Sequence, residues 1–190
     1  MGRRMLVAGN WKMHGHGADL AEATAIAIAA ETAGVDVALC VPATLVERAA
    51  RAAPGFAIGG QDVHVADKGA HTGCVSAAML LDAGARLTIV GHSERRLDQG
   101  ESDAEVKTKA EAALAAGLDV ILCVGESDAV REAGRAVATV AAQLDASLPG
   151  QQPVPAMHTK SGRRFHDLAH LINGVFLRSD ADRTGLPDPA

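Results

Sequence analysis

Polar side chains that suit small-molecule chemistry follow several short apolar runs of the sequence. Asn10 and Lys12 follow the first run, Gln61 follows the third, and His92 and Glu94 follow the fourth. An amide beside a lysine suits a small anionic substrate, although a lysine next to a strand is more often simply solvated. The imidazole of a histidine can gain or lose a proton near neutral pH. Together these residues predict a site for a small anion.

His92 has the most specific setting of these residues. It stands between an apolar run and Ser93, where the sequence predicts the start of a helix. The partial positive charge of a helix N-terminus disfavours imidazolium, and a neutral imidazole can polarise a carbonyl group by donating a hydrogen bond. The simpler alternative is that His92 only caps the helix, because polar side chains satisfy the free amide groups there.

The apolar runs and the alanine-rich stretches between them predict an alternating α/β chain. Buried strands are predicted at Met5–Ala8, Val35–Val41, Phe56–Gly59, Leu87–Val90 and Val120–Val124. Helices are predicted at Ala18–Ala33, Ala43–Ala53, Val75–Ala83, Ser102–Ala116 and Ala129–Ala146. Because crossovers between parallel strands are right-handed, this order predicts a parallel sheet, either open or closed into a barrel. In both cases the polar residues after the strands meet at the carboxyl edge, where ligands bind.

Residues 5–148 resemble the triosephosphate isomerase family. The resemblance rests on motifs that match in order and spacing: Ala-Gly-Asn10-Trp11-Lys12-Met, Gly-Gln61-Asp-Val, Gly69-Ala-His-Thr72-Gly73, Gly91-His92-Ser93-Glu94-Arg95-Arg96 and Cys123-Val-Gly-Glu126. It implies a (β/α)₈ barrel of the α/β class that interconverts dihydroxyacetone phosphate and glyceraldehyde 3-phosphate through an enediol. It implies neither a metal nor a cofactor.

The resemblance also implies roles for individual residues. Asn10 and Lys12 would bind the substrate, and His92 would be the catalytic electrophile beside Lys12. Supporting roles would fall to Glu94, Ser93 and Cys123.

Members of this family form homodimers through the loop after the third strand, here His64–Val75. Thr72 and Gly73 belong to that dimer loop, and Thr72 would reach the partner's Asn10 region. Two positions depart from the commonest pattern, with His71 where an aromatic residue is frequent and Cys74 where an acid is frequent.

The resemblance stops near Leu148, and we divide the chain there. Residues 1–148 form five βα units, at about 28 residues per unit, whereas eight units need at least ~200 residues. Residues 149–190 differ in composition, and the family's sixth strand with its catalytic glutamate, its lid and its phosphate loop are not found there. The last glutamate is Glu132, so we expect the general base to be missing and turnover to fall by several orders of magnitude. Replacement by Asp167 or His166 stays open.

The tail has few predicted elements. One helix, Phe165–Leu171, and one strand, Gly174–Leu177, are predicted, with disorder over the last ten residues. Five parallel strands leave two unpaired edges, which the tail would have to cover. His166 and His170 superficially resemble a zinc-binding helix, but no third ligand is evident.

Composition excludes several other classes. The net charge of −5 and the dispersed basic residues argue against nucleic-acid binding. The short cluster Lys160–Arg164 predicts a solvated loop. The three widely spaced cysteines predict a reducing, cytoplasmic location, and no stretch suits a membrane span or signal peptide. The alternative to an isomerase is a non-catalytic remnant, or a pseudoenzyme that assembles with another chain.

Overall fold

The computed structural model describes residues 5–150, 170–171 and 174–179. Its centre is a set of parallel strands that lie side by side in chain order, as predicted. These are β1 Leu6–Asn10, β2 Asp36–Cys40, β3 Ala57–Gly60, β4 Leu87–Val90 and β5 Asp119–Cys123. Each predicted strand is present, and the bounds of β4 are those predicted.

Helices connect the parallel strands and cover one face of the sheet. They are α1 Leu20–Ala30, α2 Val46–Ala52, α3 Ala77–Asp82, α4 Ser93–Asp98, α5 Asp103–Ala116, α6 Asp128–Glu132 and α7 Ala136–Ser147. The prediction of one continuous helix over Ala129–Ala146 is wrong, because the chain turns at Gly134 with a φ of +69°. Glycine adopts this left-handed conformation without steric cost. The conformation does not continue an α-helix, so the helix ends there.

The tail supplies two further strands, β6 His170–Leu171 and β7 Gly174–Leu177. The strand predicted at Gly174–Leu177 is therefore confirmed. The predicted helix Phe165–Leu171 is wrong at its last two residues, which pair with β1 in a sheet, so His170 does not share a helix with His166. Residues 165–169, the basic cluster and the last ten residues lie outside the described ranges.

The two tail strands show that the sheet is curled. β6 pairs antiparallel with β1 and β7 pairs antiparallel with β5, at opposite ends of the strand order. In a flat sheet they would lie six strand spacings apart, or ~29 Å. Leu171 and Gly174 are three residues apart, a separation that spans at most ~11 Å. The parallel strands must therefore curve until β1 and β5 approach one another, as in an incomplete α/β barrel.

Two apolar clusters lie on the two faces of this curved sheet. The outer cluster joins the strands to the helices and includes Trp11, Leu39, Ile58, Leu122 and Leu177. The inner cluster is smaller and is built from Ala8, Ala38, Cys40, Leu87, Ile89, Ile121 and Cys123, with Phe176 packed against it. Among the tail side chains that the structure describes, Leu177 belongs to the outer cluster and Phe176 packs against the inner one, and the tail pairs with both edges of the parallel sheet. No helix within the described ranges is long and apolar enough to cross a membrane.

Candidate functional site

The loop after β1 has a constrained conformation that presents Lys12. The φ of Lys12 is +53°, the only positive value at a non-glycine position in the described part of the chain. Asn10, which is buried, accepts hydrogen bonds on Oδ1 from the backbone N–H of Lys12 at 2.8 Å and from Nε2 of Gln61 at 3.0 Å. Nε2 of Gln61 also donates to the carbonyl oxygen of Lys12 at 2.8 Å. Gln61 and Asn10 therefore hold a backbone conformation that costs of order 1–3 kcal/mol.

Lys12, Glu94 and His92 form a chain of polar contacts across the carboxyl edge of the sheet. Nζ of Lys12 lies 2.6 Å from Oε1 of Glu94. The other carboxylate oxygen of Glu94 lies 3.5 Å from Nδ1 of His92. The residues come from the loop after β1 and from the start of α4, so the curled sheet is what brings them together.

The geometry at His92 indicates which ring nitrogen carries the proton. Nδ1 accepts a hydrogen bond from the backbone N–H of Glu94 at 3.3 Å, as the N-cap of α4. A backbone N–H group can only donate, so Nδ1 must accept from it. The carboxylate of Glu94 already pairs closely with Lys12 and does not need a proton on Nδ1. A neutral imidazole with an occupied Nδ1 lone pair carries its proton on Nε2, which can donate to a ligand.

A cleft of about 520 Å³ opens at this edge of the sheet. Asn10, Lys12 and His92 line one part of it, and Asp62, Arg95 and Lys109 line another. Three cationic side chains line the cleft together with three carboxylates, Asp62, Glu94 and Asp98, so the cationic groups that it offers to an anionic ligand are already ion-paired.

A ring of four charges beside the cleft was not predicted from the sequence. Arg95 pairs with Asp62 at 2.9 Å and with Glu101 at 2.6 Å. Lys109 pairs with Asp62 at 2.8 Å and with Glu101 at 2.5 Å, which closes the ring. We call Asp62, Arg95, Glu101 and Lys109 the charge ring. Its members stand on β3, α4 and α5 or next to them, and only the adjacency of Asp62 to Gln61 could have suggested it.

The pKa of Asp62 moves against the expectation for an ion-paired carboxyl. Burial raises it above its ordinary value, and this effect outweighs the opposing hydrogen bond and charge of Lys109 and the charge of Arg95. Desolvation can exceed ion pairing in partly buried sites.

The other residues predicted for the site differ in their exposure and in their contacts. Ser93 is exposed as the first residue of α4, and Thr72 and Gly73 are exposed in the loop after β3. Cys123 is buried in the inner cluster, where desolvation raises the pKa of its thiol to about 12. Glu126 pairs with Arg131 at 2.7 Å. Their predicted roles stay predictions.

The tail also reaches the carboxyl edge. In the pairing of β6 with β1, His170 lies opposite Asn10 and Leu171 lies opposite Gly9. On the other side, Gly174 lies opposite Cys123 at the end of β5. Sequence reasoning placed His170 on a helix and missed this position. Within the described ranges, no group of three or more His, Cys, Asp or Glu residues could hold a metal ion.

Comparisons with known proteins agree with the motifs at this edge. The family model of triosephosphate isomerase matches residues 5–157. A triosephosphate isomerase of Ruegeria sp. (strain TM1040) is 56% identical over 146 residues, which cover 77% of this chain and 59% of that protein. The enzyme of Ruegeria pomeroyi is 57% identical over 149 residues, with the same coverage. The chain thus spans about three fifths of the length of these relatives.

A solved structure shows the same likeness in three dimensions. The crystal structure of triosephosphate isomerase from Bartonella henselae superposes with a TM-score of 0.73 at 42% identity. The superposition covers 79% of this chain and 64% of the other.

Proposed function

This chain belongs to the triosephosphate isomerase family, and on that premise we propose that it binds a triose phosphate in the cleft and polarises its carbonyl group. The supporting observations are the pair of Lys12 with Glu94 and the hydrogen bond that Nδ1 of His92 accepts from the backbone N–H of Glu94. Lys12 supplies positive charge for the anionic substrate. Asn10 and Gln61 hold the backbone of Lys12 in place. Nε2–H of His92 donates to the carbonyl oxygen, where negative charge develops as an enediol forms.

We further propose that isomerisation of dihydroxyacetone phosphate and glyceraldehyde 3-phosphate by this chain is slow. The reaction removes a proton from the carbon next to the carbonyl, which needs a base within hydrogen-bond reach. Residues 133–190 contain no glutamate. General base catalysis typically contributes roughly 10²–10⁴-fold, so binding should persist while turnover drops by at least that factor.

We also propose a cytoplasmic location and a homodimer that forms through the loop after β3, as the family of the chain implies. The loop residues Thr72 and Gly73 are exposed, and the side chain of Met13, next to Lys12, is 95% exposed. Light scattering of the purified chain tests this: a mass of one chain would contradict the dimer.

The function is tested by calorimetric binding of 2-phosphoglycolate, an analogue of the enediolate, together with an isomerase assay. A His92→Gln variant controls for contaminating host enzyme. Binding with little turnover supports the proposal, and turnover that vanishes in the variant would reveal a base in the tail. Absence of binding would refute the proposal and favour a non-catalytic remnant that assembles with another chain.

A further inference from the structure

We propose that the charge ring is a positioning device that sets His92 against Lys12. The inference rests on the proposed function and adds residues that act on the site through other residues. Lys109 is the member to test, because it contacts both acids of the ring from α5, outside the helix that His92 caps.

The ring connects the two halves of the site. Asp62 directly follows Gln61, whose amide holds the backbone of Lys12. Arg95 lies one helical turn after His92, and its backbone N–H donates to the carbonyl oxygen of His92 at 2.8 Å. The Arg95–Asp62 pair therefore links the segment that holds Lys12 to the helix that His92 caps.

The second half of the ring links Arg95 on the same helix to the segment that follows it. Nε of Arg95 donates to Oε1 of Glu101, and the backbone N–H of Glu101 donates to the carbonyl oxygen of Arg95 at 3.3 Å. Lys109, on the longer helix α5, then ties Glu101 back to Asp62. The six-residue helix α4 is too short to hold its own orientation, since isolated helices of this length are unstable.

The burial of the ring argues against a purely stabilising role. The side chains of Glu101 and Lys109 are only 7% and 13% exposed, and Oε2 of Glu101 has no hydrogen-bond partner in the described part of the chain. Taking charges out of water with an unsatisfied oxygen costs free energy that an apolar cluster would not. Ion pairs fix direction, which apolar contacts do not, so the ring suits a positioning role.

A double-mutant cycle separates positioning from stabilisation. Binding of 2-phosphoglycolate is measured for the unmodified chain, Lys109→Met, His92→Gln and the double variant, below their melting temperatures. Positioning through His92 predicts that Lys109→Met weakens binding about 10-fold alone and less than about 2-fold when His92 is already replaced. Equal weakening in both backgrounds, or none, would overturn the inference, since a direct effect of the Lys109 charge on the ligand does not depend on His92.

A ligand-free measurement tests the inference even if 2-phosphoglycolate fails to bind. The ¹⁵N signals of His92 report which ring nitrogen accepts a hydrogen bond. Lys109→Met should broaden or shift the Nδ1 signal, and Lys107→Met, on the same helix but outside the ring, should leave it unchanged. An unaltered signal in a folded Lys109→Met protein contradicts positioning. Failure of the unmodified chain to bind refutes the proposed function alone.

Discussion

Nζ of Lys12 lies 2.6 Å from Oε1 of Glu94, although the two residues belong to the first and fourth βα units of the chain. Both side chains are partly exposed, so this pair adds little to stability. The pair instead fixes the position of the Lys12 ammonium group, which it holds at the cleft near His92.

Replacing Lys12 with Met should remove most of the affinity for 2-phosphoglycolate. The variant loses the positive charge that faces the anion, and charge-assisted contacts of this kind contribute about 1.5–3 kcal/mol each. We expect the dissociation constant to rise by about 10- to 100-fold in calorimetry. Lys107→Met is the matched control, and equal binding by both variants would exclude Lys12 from the binding site.

Replacing Gln61 with Leu should destabilise the chain as well as weaken binding. The side-chain amide donates to Oδ1 of buried Asn10 and to the carbonyl oxygen of Lys12, and the substitution leaves both with fewer partners. Loss of such contacts costs roughly 1–3 kcal/mol of unfolding free energy in urea denaturation. Gln99→Leu, at an exposed position on the rim of the cleft, should change it by less than about 0.5 kcal/mol. Similar values for both variants would argue that the Lys12 loop holds its conformation without Gln61.

The raised pKa of Asp62 predicts a pH dependence of stability. The folded state holds the proton of the Asp62 carboxyl more tightly than the unfolded chain, in which the pKa of this carboxyl has its ordinary value of 3.8. The stabilisation linked to protonated Asp62 is therefore fully present below that pH and is lost as pH rises through the raised pKa of the folded state.

Asp62→Asn tests this dependence, because asparagine does not titrate. The stability of the variant relative to the unmodified chain should increase as pH rises through the window just above 3.8. Asp145→Asn, at an exposed position on α7, serves as the control. A parallel pH profile for the unmodified chain and Asp62→Asn would show that burial does not dominate at Asp62.

The three cysteines should differ sharply in reactivity. Cys74 is exposed, whereas Cys40 and Cys123 are buried and desolvation raises the pKa of both thiols. Because the thiolate is the reactive form, a thiol reagent at about pH 8 should label Cys74 alone in the native monomer. In the proposed homodimer the labelling of Cys74 should be slower, because this residue stands in the loop after β3. All three should react in denaturant. Rapid labelling of more than one thiol in the native protein would contradict the buried inner cluster.

Leu177 offers a test of how the tail completes the sheet. It is 1% exposed in the outer cluster, on the strand that pairs with β5. Leu177→Ala should lower the unfolding free energy by about 2–5 kcal/mol, measured by chemical denaturation. Leu97→Ala, at a position that is 81% exposed, should have little effect. Equal stability of the two variants would mean that β7 does not cover the edge of β5 in solution.

Local sequence was sufficient for the parallel core. β4 is apolar at three of its four positions, with Thr88 as the exception, and it is buried throughout. Its predicted bounds are those observed, because a strand covered on both faces has no competing pattern. The break in the last predicted helix was missed because Gly134 sits within a run of good helix formers, where one glycine does not always end a helix. The helix predicted over Phe165–Leu171 was wrong at His170 because pairing with an unpaired strand edge overrides local propensity.

The sequence by itself determined which family the chain belongs to and which side chains stand at the ends of its strands. Both depend only on the order and spacing of motifs along the chain. The tertiary structure decided how those side chains meet. The closure of the charge ring depends on residues such as Asp62 and Lys109, 47 positions apart, whose contact no local pattern encodes. The pairing of one short tail segment with both β1 and β5 likewise depends on the curl of the whole sheet, because only a curved sheet brings its two edges within the reach of a few residues.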